Sequence, residues 1–380
     1  MKIYKQFRTI LVSAYACEPK KGSEPSVGWT HVINLSKQYE IVHVVTRKNN
    51  EPSISNFLKK NPINNLFFHY HDLPIFFIKL KKILRITHIY AYIWELTLFF
   101  FLFNKFKKKS FDISARVTFV SYKFPSFLWY YSKFFHLGPI GGGECYPINF
   151  IKYFPLVTKI KELSRLFLNF ILIFDPLILL TFYKANEIQV VNLSTYNFLP
   201  FFKKKFYIEP AIKINQNDFV ESNYLPPINT KYNDKVINFL YVGRLVHWKG
   251  LLFALKALTF IPNNKYNLNV IGNGPDEAYF KKYVFKNNIN AKFIDTVERQ
   301  KLIHFYKSSD YIFLLSLHDS GGMVVKEAQQ FNTKVIVSNF GGLNHIVTSK
   351  NDFVIKSDNV DDFIYKLVKY LNGLFDDKAI

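Results

Sequence analysis

The sequence predicts an α/β protein built from two doubly wound domains with parallel sheets. A strand–loop–helix–strand order opens the chain, with strands expected at 9–16 and 39–47. A second such order begins near residue 236, where "VINFLYVGRL" predicts a strand and "KGLLFALKAL" a helix. Strands that alternate with helices are typical of parallel sheets. The length of 380 residues accommodates two domains of ordinary size.

The composition indicates a folded and strongly basic protein. Hydrophobic residues make up 49% of the chain and charged residues 21%, which excludes a disordered chain. Lys and Arg number 50 against 28 Asp and Glu, so the formal charge is +22. This charge favours membrane headgroups, nucleic acid or phosphorylated substrates as partners. Two cysteines, Cys17 and Cys145, argue against a disulfide-built secreted protein and are interpreted as reduced, non-catalytic thiols.

No segment predicts a signal peptide or a transmembrane helix. The first apolar run, 10–16, is too short for a secretion signal. The run at 96–103 is too short to cross a bilayer, and the run at 166–182 is interrupted by Asp175 and Pro176. A buried or interfacial helix is the better interpretation of the last run.

The expected carboxyl ends of strands carry residues that suit a ligand with phosphates at one end and hydroxyls at the other. Ligands of open α/β sheets bind at these ends. Glycines at a helix N-terminus bring N–H donors close to a phosphate, and Arg244 and Lys249 add positive charge. Asp319 and Glu327 are carboxylates and suit sugar and ribose hydroxyls. The residues expected to bind the donor or its phosphates are Gly22, Ser23, Gly243, Gly272, Asn273, Gly274, His318, Ser320, Gly321, Gly322, Met323 and Val324.

Simpler interpretations of these residues remain open. Asp319 and Glu327 could be a helix cap and an exposed helix residue, and Arg244 and Lys249 a solvated basic surface. His318 could face the sugar or merely end a strand. A glycine-rich loop is either a tight turn or a donor or acceptor loop, and it consists of Gly141, Gly142, Gly143 and Glu144.

Several stretches together resemble a known family. "GRLVHWKG", "VIGNGP" and "HDSGGMVVKEA" resemble the C-terminal half of glycosyltransferase family 4, retaining enzymes of the GT-B fold with two Rossmann-like domains facing across a cleft. "YACEPKKGSEPSVGW" and "GPIGGGE" resemble the N-terminal half of a bacterial subgroup of surface-polysaccharide assembly. The resemblance covers nearly the whole chain. It implies that Arg244 and Lys249 grip the donor phosphates. It also implies that Asp319 and Glu327 match the family's pair of Glu residues, which has seven residues between its members.

The resemblance also implies a reaction. A sugar would move from a UDP- or GDP-linked donor to a glycan or lipid-linked acceptor in capsule, O-antigen or lipopolysaccharide assembly. The acceptor hydroxyl would attack from the face that the diphosphate leaves, and a donor phosphate oxygen would take its proton. No metal or other cofactor is expected, in line with the lack of an obvious Asp-x-Asp motif. The expected location is the cytoplasm, peripheral on the inner face of the membrane; the donor base, the acceptor and the oligomeric state stay open.

The sequence and this resemblance together predict three domains. Residues 1–205 would form an acceptor-binding, membrane-facing domain, and residues 206–362 a donor-binding domain. A C-terminal helix, 363–380, could pack back on the first domain.

A basic, Phe-rich helix is predicted around 75–90, and it has two interpretations. It could lie on an anionic membrane and collect a lipid-linked acceptor, or it could be a core helix with snorkelling lysines. We favour the membrane because the charge is extreme for a cytosolic enzyme.

The sequence departs from the family pattern at three places, and the first of them, a missing histidine pair, motivates a different class of function. Ala115 and Arg116 stand where relatives often have two histidines, one of them near the donor sugar. Asp295 stands where a glycine is common, and Asp319 is one methylene shorter than Glu. The alternative is a catalytically inactive relative that acts as a scaffold or partner. A nucleotide-sugar epimerase is less favoured, and a nucleic-acid partner is not expected because no recognition motif is present.

Overall fold

The computed structural model describes residues 7–19, 21, 24–84, 86–211, 236–343, 347 and 352–377. These residues form two compact units, and each unit surrounds one parallel sheet. The predicted fold of two Rossmann-like α/β domains is thereby confirmed. Each unit is described by itself below.

The first unit comprises the described residues up to 143 and from 166 to 211, around a seven-stranded sheet of order β3-β2-β1-β4-β5-β6-β7. Its strands are β1 (Thr9–Ser13), β2 (Ile41–Arg47), β3 (Leu66–His71), β4 (Phe111–Arg116), β5 (Ser132–Ile140), β6 (Glu187–Val190) and β7 (Phe206–Ile208). Its helices are α1 (Glu24–Ser36), α2 (Glu51–Lys60), α3 (Ile75–Leu84), α4 (Thr87–Phe103), the end of α5 (Leu156–Leu172), α6 (Pro176–Lys184) and α7 (Leu193–Phe198).

The second unit comprises residues 144–165 and the described residues from 236 onwards, around a six-stranded sheet of order β10-β9-β8-β11-β12-β13. Its strands are β8 (Ile237–Val242), β9 (Tyr266–Ile271), β10 (Ala291–Ile294), β11 (Tyr311–Leu314), β12 (Lys334–Ser338) and β13 (Phe353–Ile355). Its helices after residue 236 are α8 (Leu251–Leu258), α9 (Glu277–Lys286), α10 (Arg299–Lys307), α11 (Met323–Gln330) and α12 (Val360–Asp377).

Alternate residues of the central strands enter different cores, as a sheet covered on both faces requires. In β1, Ile10 and Val12 join one apolar cluster and Leu11 joins another. In β8, Phe239 and Leu240 separate in the same way. Each strand order reverses beside its first strand, between β1 and β4 and between β8 and β11. Such a reversal opens a crevice at the carboxyl ends of the strands, where ligands bind.

Residues 144–165 belong to the second unit, although we expected the whole of 1–205 to form one domain. The cause is aromatic packing. Phe150 is fully buried in the core of the second unit and packs edge-on against Phe253 and Phe340, with centroid distances of 5.9 Å and 4.7 Å. An apolar segment of this kind fits either core equally well as a sequence pattern, so the sequence does not reveal which one it joins.

The C-terminal helix α12 packs within the second unit. Phe363, Leu367, Leu371 and Phe375 enter that unit's core, at a spacing that places them on one face of the helix. Phe363 lies 5.4 Å from Phe150, centroid to centroid. The helix therefore packs on the segment that the sequence assigned to the first domain but that belongs to the second unit.

The segment predicted as one basic helix forms two helices. The first, α3, ends at Leu84, and the second, α4, begins at Thr87. No residue of α3 is buried, whereas α4 buries one face that includes Trp94 and Leu98. Within the described residues, no single helix is long and apolar enough to cross a membrane; α5 and α6 meet that criterion only as a pair, with a 56° bend at their break.

Candidate functional site

The loops that follow β8 and β9 lie against each other at the carboxyl ends of the second sheet. The N–H of Gly243 donates to the Ile271 carbonyl over 3.0 Å, and that of Leu245 to the Asn273 carbonyl over 2.9 Å. Gly272 has a φ of +129°, and a Cβ there would lie 2.2 Å from the Gly243 carbonyl oxygen. Only glycine fits such an approach. The predicted glycines of this region are therefore close together.

A 3-10 turn, His247–Lys249, carries Lys249 to the end of β11. The N–H of Leu317 donates to the Trp248 carbonyl over 2.8 Å, which fixes the turn against the loop that follows β11. Gly250 then begins α8 with a φ of +81°, and a Cβ there would lie 2.0 Å from the Leu315 carbonyl oxygen. The backbone contact at Gly250 thus determines where Lys249 lies.

Replacing Gly250 by alanine should destabilise the second unit. The added Cβ would meet backbone, and the left-handed φ is strained for any residue with a side chain, so we expect a loss of about 2–4 kcal/mol in the free energy of unfolding. Urea unfolding measures it. Gly321→Ala is the matched control because a Cβ added there would meet nothing within 4 Å. Equal midpoints for the two variants would contradict the structural role of Gly250.

Lys249 and Asp319 form an ion pair at the start of α11. The Lys249 ammonium donates to Oδ2 of Asp319, and the N–H groups of Gly321 and Gly322 each donate to Oδ1 over 3.1 Å. Burial alone would raise the pKa of Asp319, but Lys249 and the two N–H groups outweigh burial and lower it. Asp319 is therefore an ionised carboxylate that receives both the cation and the N–H donors that the sequence assigned to a phosphate.

Glu327 lies two turns along α11 from the ion pair and is buried. Its Oε2 accepts a hydrogen bond of 2.9 Å from the hydroxyl of Tyr306. It is thus not the exposed helix residue of the simpler interpretation. Its predicted contact with a ribose hydroxyl stays a prediction.

Arg244 is exposed and, within the described residues, forms no ion pair. Its carbonyl accepts a hydrogen bond of 3.2 Å from the hydroxyl of Tyr241, which holds the loop and leaves the guanidinium in solvent. In the neighbouring loop, the side-chain amide of Asn273 donates to Asp295 over 3.1 Å. Asp295 therefore fastens this loop, at the position where relatives often have glycine.

The other predicted residues of this region surround the same two loops. Ser320 and Gly321 follow Asp319, and Met323 and Val324 form the half-buried first turn of α11. Gly274 lies beneath the Leu245 carbonyl oxygen, 2.3 Å from where a Cβ would stand.

His318 stands in an aromatic stack beside the ion pair. Its ring lies 4.1 Å from that of Trp248 and 6.0 Å from that of Tyr146, centroid to centroid, at interplanar angles of 22° and 14°. Its Nε2 lies 3.4 Å from Oε2 of Glu162. Burial lowers the pKa of His318, although Glu162 opposes the change. His318 is thus held between rings and a carboxylate.

Glu162 is a site residue that the sequence analysis missed. Its Oε2 accepts hydrogen bonds from the Tyr146 hydroxyl over 2.8 Å and from Nε of Arg165 over 3.0 Å. Burial alone would raise the pKa of Glu162, but His318, Tyr146 and Arg165 outweigh burial and lower it to about 2. The only sequence signal was the carboxylate itself on an otherwise apolar and basic helix, α5.

Glu162→Gln should destabilise the protein, by an amount that depends on pH. A carboxylate whose folded pKa is depressed to about 2 from an unfolded value of about 4.3 stabilises the folded state above that unfolded value. We expect the variant to lose about 1–3 kcal/mol at pH 7, and the difference from wild type to shrink as the pH falls from about 5 towards 2. Urea unfolding at several pH values measures this. Glu298→Gln, at an exposed position, is the control, and a pH-independent difference would contradict the assignment.

The predicted site residues of the first half either lie outside the described residues or contact other parts of the protein. Gly22 and Ser23 lie outside the described residues. In the glycine-rich loop, the Gly141 carbonyl accepts from the Tyr122 N–H over 3.0 Å, and the Gly142 carbonyl from Asn169 over 3.3 Å. Gly143 lies against Phe198, which a Cβ would approach to 2.9 Å. Glu144 belongs to the second unit and is buried there.

Arg116 is a buried structural residue. Its guanidinium donates to the carbonyls of Ser121 and Phe124, both over 2.7 Å, and so fastens the loop that follows β4. Ala115 is buried in the sheet. Neither side chain of this pair supplies an imidazole to a ligand.

No group of three or more His, Cys, Asp or Glu residues within the described ranges is placed to hold a metal ion. Independence of metal stays a prediction. The two cysteines are free thiols, Cys17 buried and Cys145 exposed.

Comparison with known proteins finds a family match in the second half of the chain. Residues 227–375 match the family model described as "Glycosyl transferases group 1". The matched range includes the ion pair, the glycine loops and α11.

Curated relatives agree with this class. An uncharacterized glycosyltransferase of Methanocaldococcus jannaschii is 29% identical over 33% of this chain and 32% of its own length. The UDP-Gal:α-D-GlcNAc-diphosphoundecaprenol α-1,3-galactosyltransferase of Escherichia coli is 28% identical over 47% of this chain and 49% of its own. The capsular polysaccharide biosynthesis glycosyltransferase CapM of Staphylococcus aureus is 28% identical over 50% and 47%. The chain spans about a third to a half of these relatives.

Solved structures share the fold along nearly the whole chain. The apo form of the lipopolysaccharide outer core galactosyltransferase WaaB covers 97% of this chain and 91% of its own, with a TM-score of 0.58 and 14% identity. Anabaena HepE in complex with UDP and glucose covers 96% and 90%, with a TM-score of 0.57 and 12% identity. These neighbours have the GT-B fold, which the resemblance in the sequence implied.

Proposed function

We propose that this protein is a retaining glycosyltransferase of surface-polysaccharide assembly. It moves a sugar from a UDP- or GDP-linked donor to a lipid-linked glycan, and its second unit binds the donor. The glycosyltransferase group 1 domain supports this, as do relatives named for capsular polysaccharide and for a diphosphoundecaprenol-linked acceptor. The complex of HepE with UDP favours a UDP-linked donor.

One observation carries the donor site. Lys249 and the N–H groups of Gly321 and Gly322 converge on a single anion, the carboxylate of Asp319. A cation beside a helix N-terminus attracts anions, because the free N–H groups and the helix dipole add to its positive charge. In the proposed mechanism the donor diphosphate takes over these donors, and the released Asp319 accepts a hydrogen bond from a sugar hydroxyl.

The chain's own groups then provide the catalysis. Lys249 and the exposed Arg244 stabilise the negative charge that develops on the leaving diphosphate. Positioning contributes the rest, because the acceptor hydroxyl must approach the face from which the diphosphate departs. No metal is needed for this charge stabilisation, since the two cations and the helix N-terminus supply it.

We also place the protein at the cytoplasmic face of a membrane, as a peripheral enzyme. The exposed apolar residues of α3 and the charge of +22 support this location. Vesicle sedimentation tests it: binding to anionic vesicles that weakens in salt is expected, and equal binding to neutral vesicles would contradict it.

The proposed function is tested by a transfer assay. UDP-, GDP- and CMP-sugars are offered with diphosphopolyprenol-linked acceptors, with and without EDTA. We expect turnover of one donor, unaffected by EDTA, and a product whose anomeric configuration by NMR equals that of the donor. An inverted product, or loss of turnover in EDTA, would contradict the mechanism.

A second candidate is an inactive relative that serves as a scaffold. The buried, structurally engaged Arg116 favours it, because no histidine stands where relatives often have one near the donor sugar. Turnover of any nucleotide sugar would rule it out.

A further inference from the structure

A group of charged and aromatic residues lies at the carboxyl ends of β1, β2 and β3 in the first unit, and the donor site uses none of them. Arg47 is the last residue of β2, Asp72 follows β3, and Tyr15 follows β1. These strands are neighbours in the sheet, and their carboxyl ends are where ligands of α/β sheets bind.

Arg47 is held in place with part of its guanidinium unused. Its Nε and Nη2 donate to the Asp72 carboxylate over 3.3 Å and 3.2 Å. The guanidinium lies 5.1 Å from the ring centroid of Tyr15 and 5.4 Å from that of Tyr90. Tyr90 also donates its hydroxyl to Asp72. Nη1 takes no part in the bonds to Asp72 and remains available as a preoriented donor.

Lys81 adds a second cation at the same place. Its ammonium lies 4.3 Å from the ring centroid of Tyr90 and forms no ion pair within the described part of the chain. Burial lowers the pKa of Lys81, and the positive charge of Arg47 lowers it further. Two cations therefore share one carboxylate, Asp72, which already accepts from Arg47 and Tyr90. The group has an uncompensated positive charge.

Tyr15 provides an unused donor beside these cations. Tyr15 is 6% exposed, and its hydroxyl donates to no acceptor among the described residues; the group beside it, the Arg47 guanidinium, is itself a donor. A buried hydroxyl that donates to no protein acceptor is available to a ligand or a water molecule. Burial raises its pKa to about 12, so the hydroxyl keeps its proton for donation.

The helix that carries Lys81 also presents apolar side chains to solvent. Ile75, Phe76, Ile83 and Leu84 of α3 are each more than half exposed, and no residue of this helix is buried. The cationic group and the exposed apolar face of α3 therefore adjoin, because Lys81 belongs to both. A ligand that fits them has an anionic group attached to a long apolar chain.

We propose that Arg47, Lys81 and the Tyr15 hydroxyl bind a phosphate group carried by a long acyl or prenyl chain, and that α3 contacts the chain. This inference rests on the proposed function, since it locates the phosphate of the lipid-linked acceptor on the first unit. Arg47 and Lys81 neutralise the phosphate, Tyr15 donates to one of its oxygens, and Asp72 keeps the guanidinium oriented.

Calorimetric titration of the full-length protein with dodecyl phosphate, below its micelle concentration, tests the subsite. We expect one molecule to bind per chain, about tenfold or more weakly in Lys81→Ala and about threefold or more weakly in Tyr15→Phe. Neither variant removes an ion pair or an occupied hydrogen bond, so both should fold. Lys79→Ala removes the same charge from an exposed position of α3 and should change binding by less than about twofold.

Two further ligands separate the parts of the subsite. Inorganic phosphate should bind much more weakly than dodecyl phosphate, and Phe76→Ser should weaken only the latter. Dodecyl maltoside, a neutral amphiphile, should not bind at one site. Equal effects of Lys79→Ala and Lys81→Ala, equal binding of inorganic phosphate, or equal binding of the neutral amphiphile would each overturn the proposal.

The outcomes also separate this inference from the proposed function. If dodecyl phosphate binds in the expected pattern but the protein turns over no nucleotide sugar, the proposed subsite is supported and the proposed enzymatic function is rejected. If the protein transfers sugar and Lys81→Ala leaves the KM for the lipid-linked acceptor unchanged, the enzymatic function is supported and the subsite is rejected.

Discussion

Lys249→Ala should abolish detectable binding of nucleoside diphosphates and reduce sugar transfer by about a thousandfold. In the structure this ammonium binds the Asp319 carboxylate, and in the proposed mechanism it binds the leaving diphosphate instead. Its removal takes away a charge-assisted hydrogen bond that strengthens as the diphosphate departs. Calorimetry with UDP, GDP and CMP and a single-turnover transfer assay measure the two effects.

Lys286→Ala is the matched control for this experiment. Lys286 is an exposed residue at the end of α9, and it forms no ion pair within the described residues. The control should bind nucleotide like the wild type. Undiminished nucleotide binding by a folded Lys249→Ala variant would place the donor somewhere other than the α11 site.

Asp319→Asn should change binding and transfer in opposite directions. The amide oxygen can still accept from the N–H groups of Gly321 and Gly322, but the charge that holds Lys249 is lost. We therefore expect UDP to bind severalfold more tightly, because it no longer competes with an internal anion. Transfer should fall by about a hundredfold or more, since an ionised acceptor for the sugar hydroxyl is gone.

Tighter UDP binding together with slower sugar transfer is the result that supports this role of Asp319. Asp358→Asn removes a carboxylate from an exposed position and should alter neither. Weaker UDP binding by Asp319→Asn would show that this carboxylate helps to hold the nucleotide rather than occupying its place. Unchanged transfer would remove Asp319 from the reaction.

The sequence predicted the parts of the fold that depend on local pattern. Strands such as β8 and β11 are largely apolar runs followed by loops that contain glycine, and a doubly wound sheet brings such loops together at one edge. The closeness of Lys249 and Asp319 therefore followed from topology alone. The break between α3 and α4 did not, because both segments have helical composition and the break near Ile86 arises from its non-helical backbone.

Long-range partners could not be read from the sequence. Glu162 lies in a segment that looks like part of the first domain, yet its hydrogen bonds and its contact with His318 are in the second unit. The sequence also assigned the N–H groups of Gly321 and Gly322 to a phosphate without anticipating that Asp319 would accept from both. Such an internal partner depends on side-chain orientation, which residue spacing does not specify.

The passage of residues 144–165 into the second unit has a consequence for biosynthesis. On the ribosome, Phe150 and Phe154 emerge well before α8, which packs against both, and α12, which packs against Phe150. The first unit meanwhile still lacks residues 166–211, which form its last two strands. The core of the second unit cannot close before its sheet and α12 have been made, so Phe150 and Phe154 stay exposed until synthesis is nearly complete. Maturation of this protein should therefore depend on chaperones that shield apolar segments during translation.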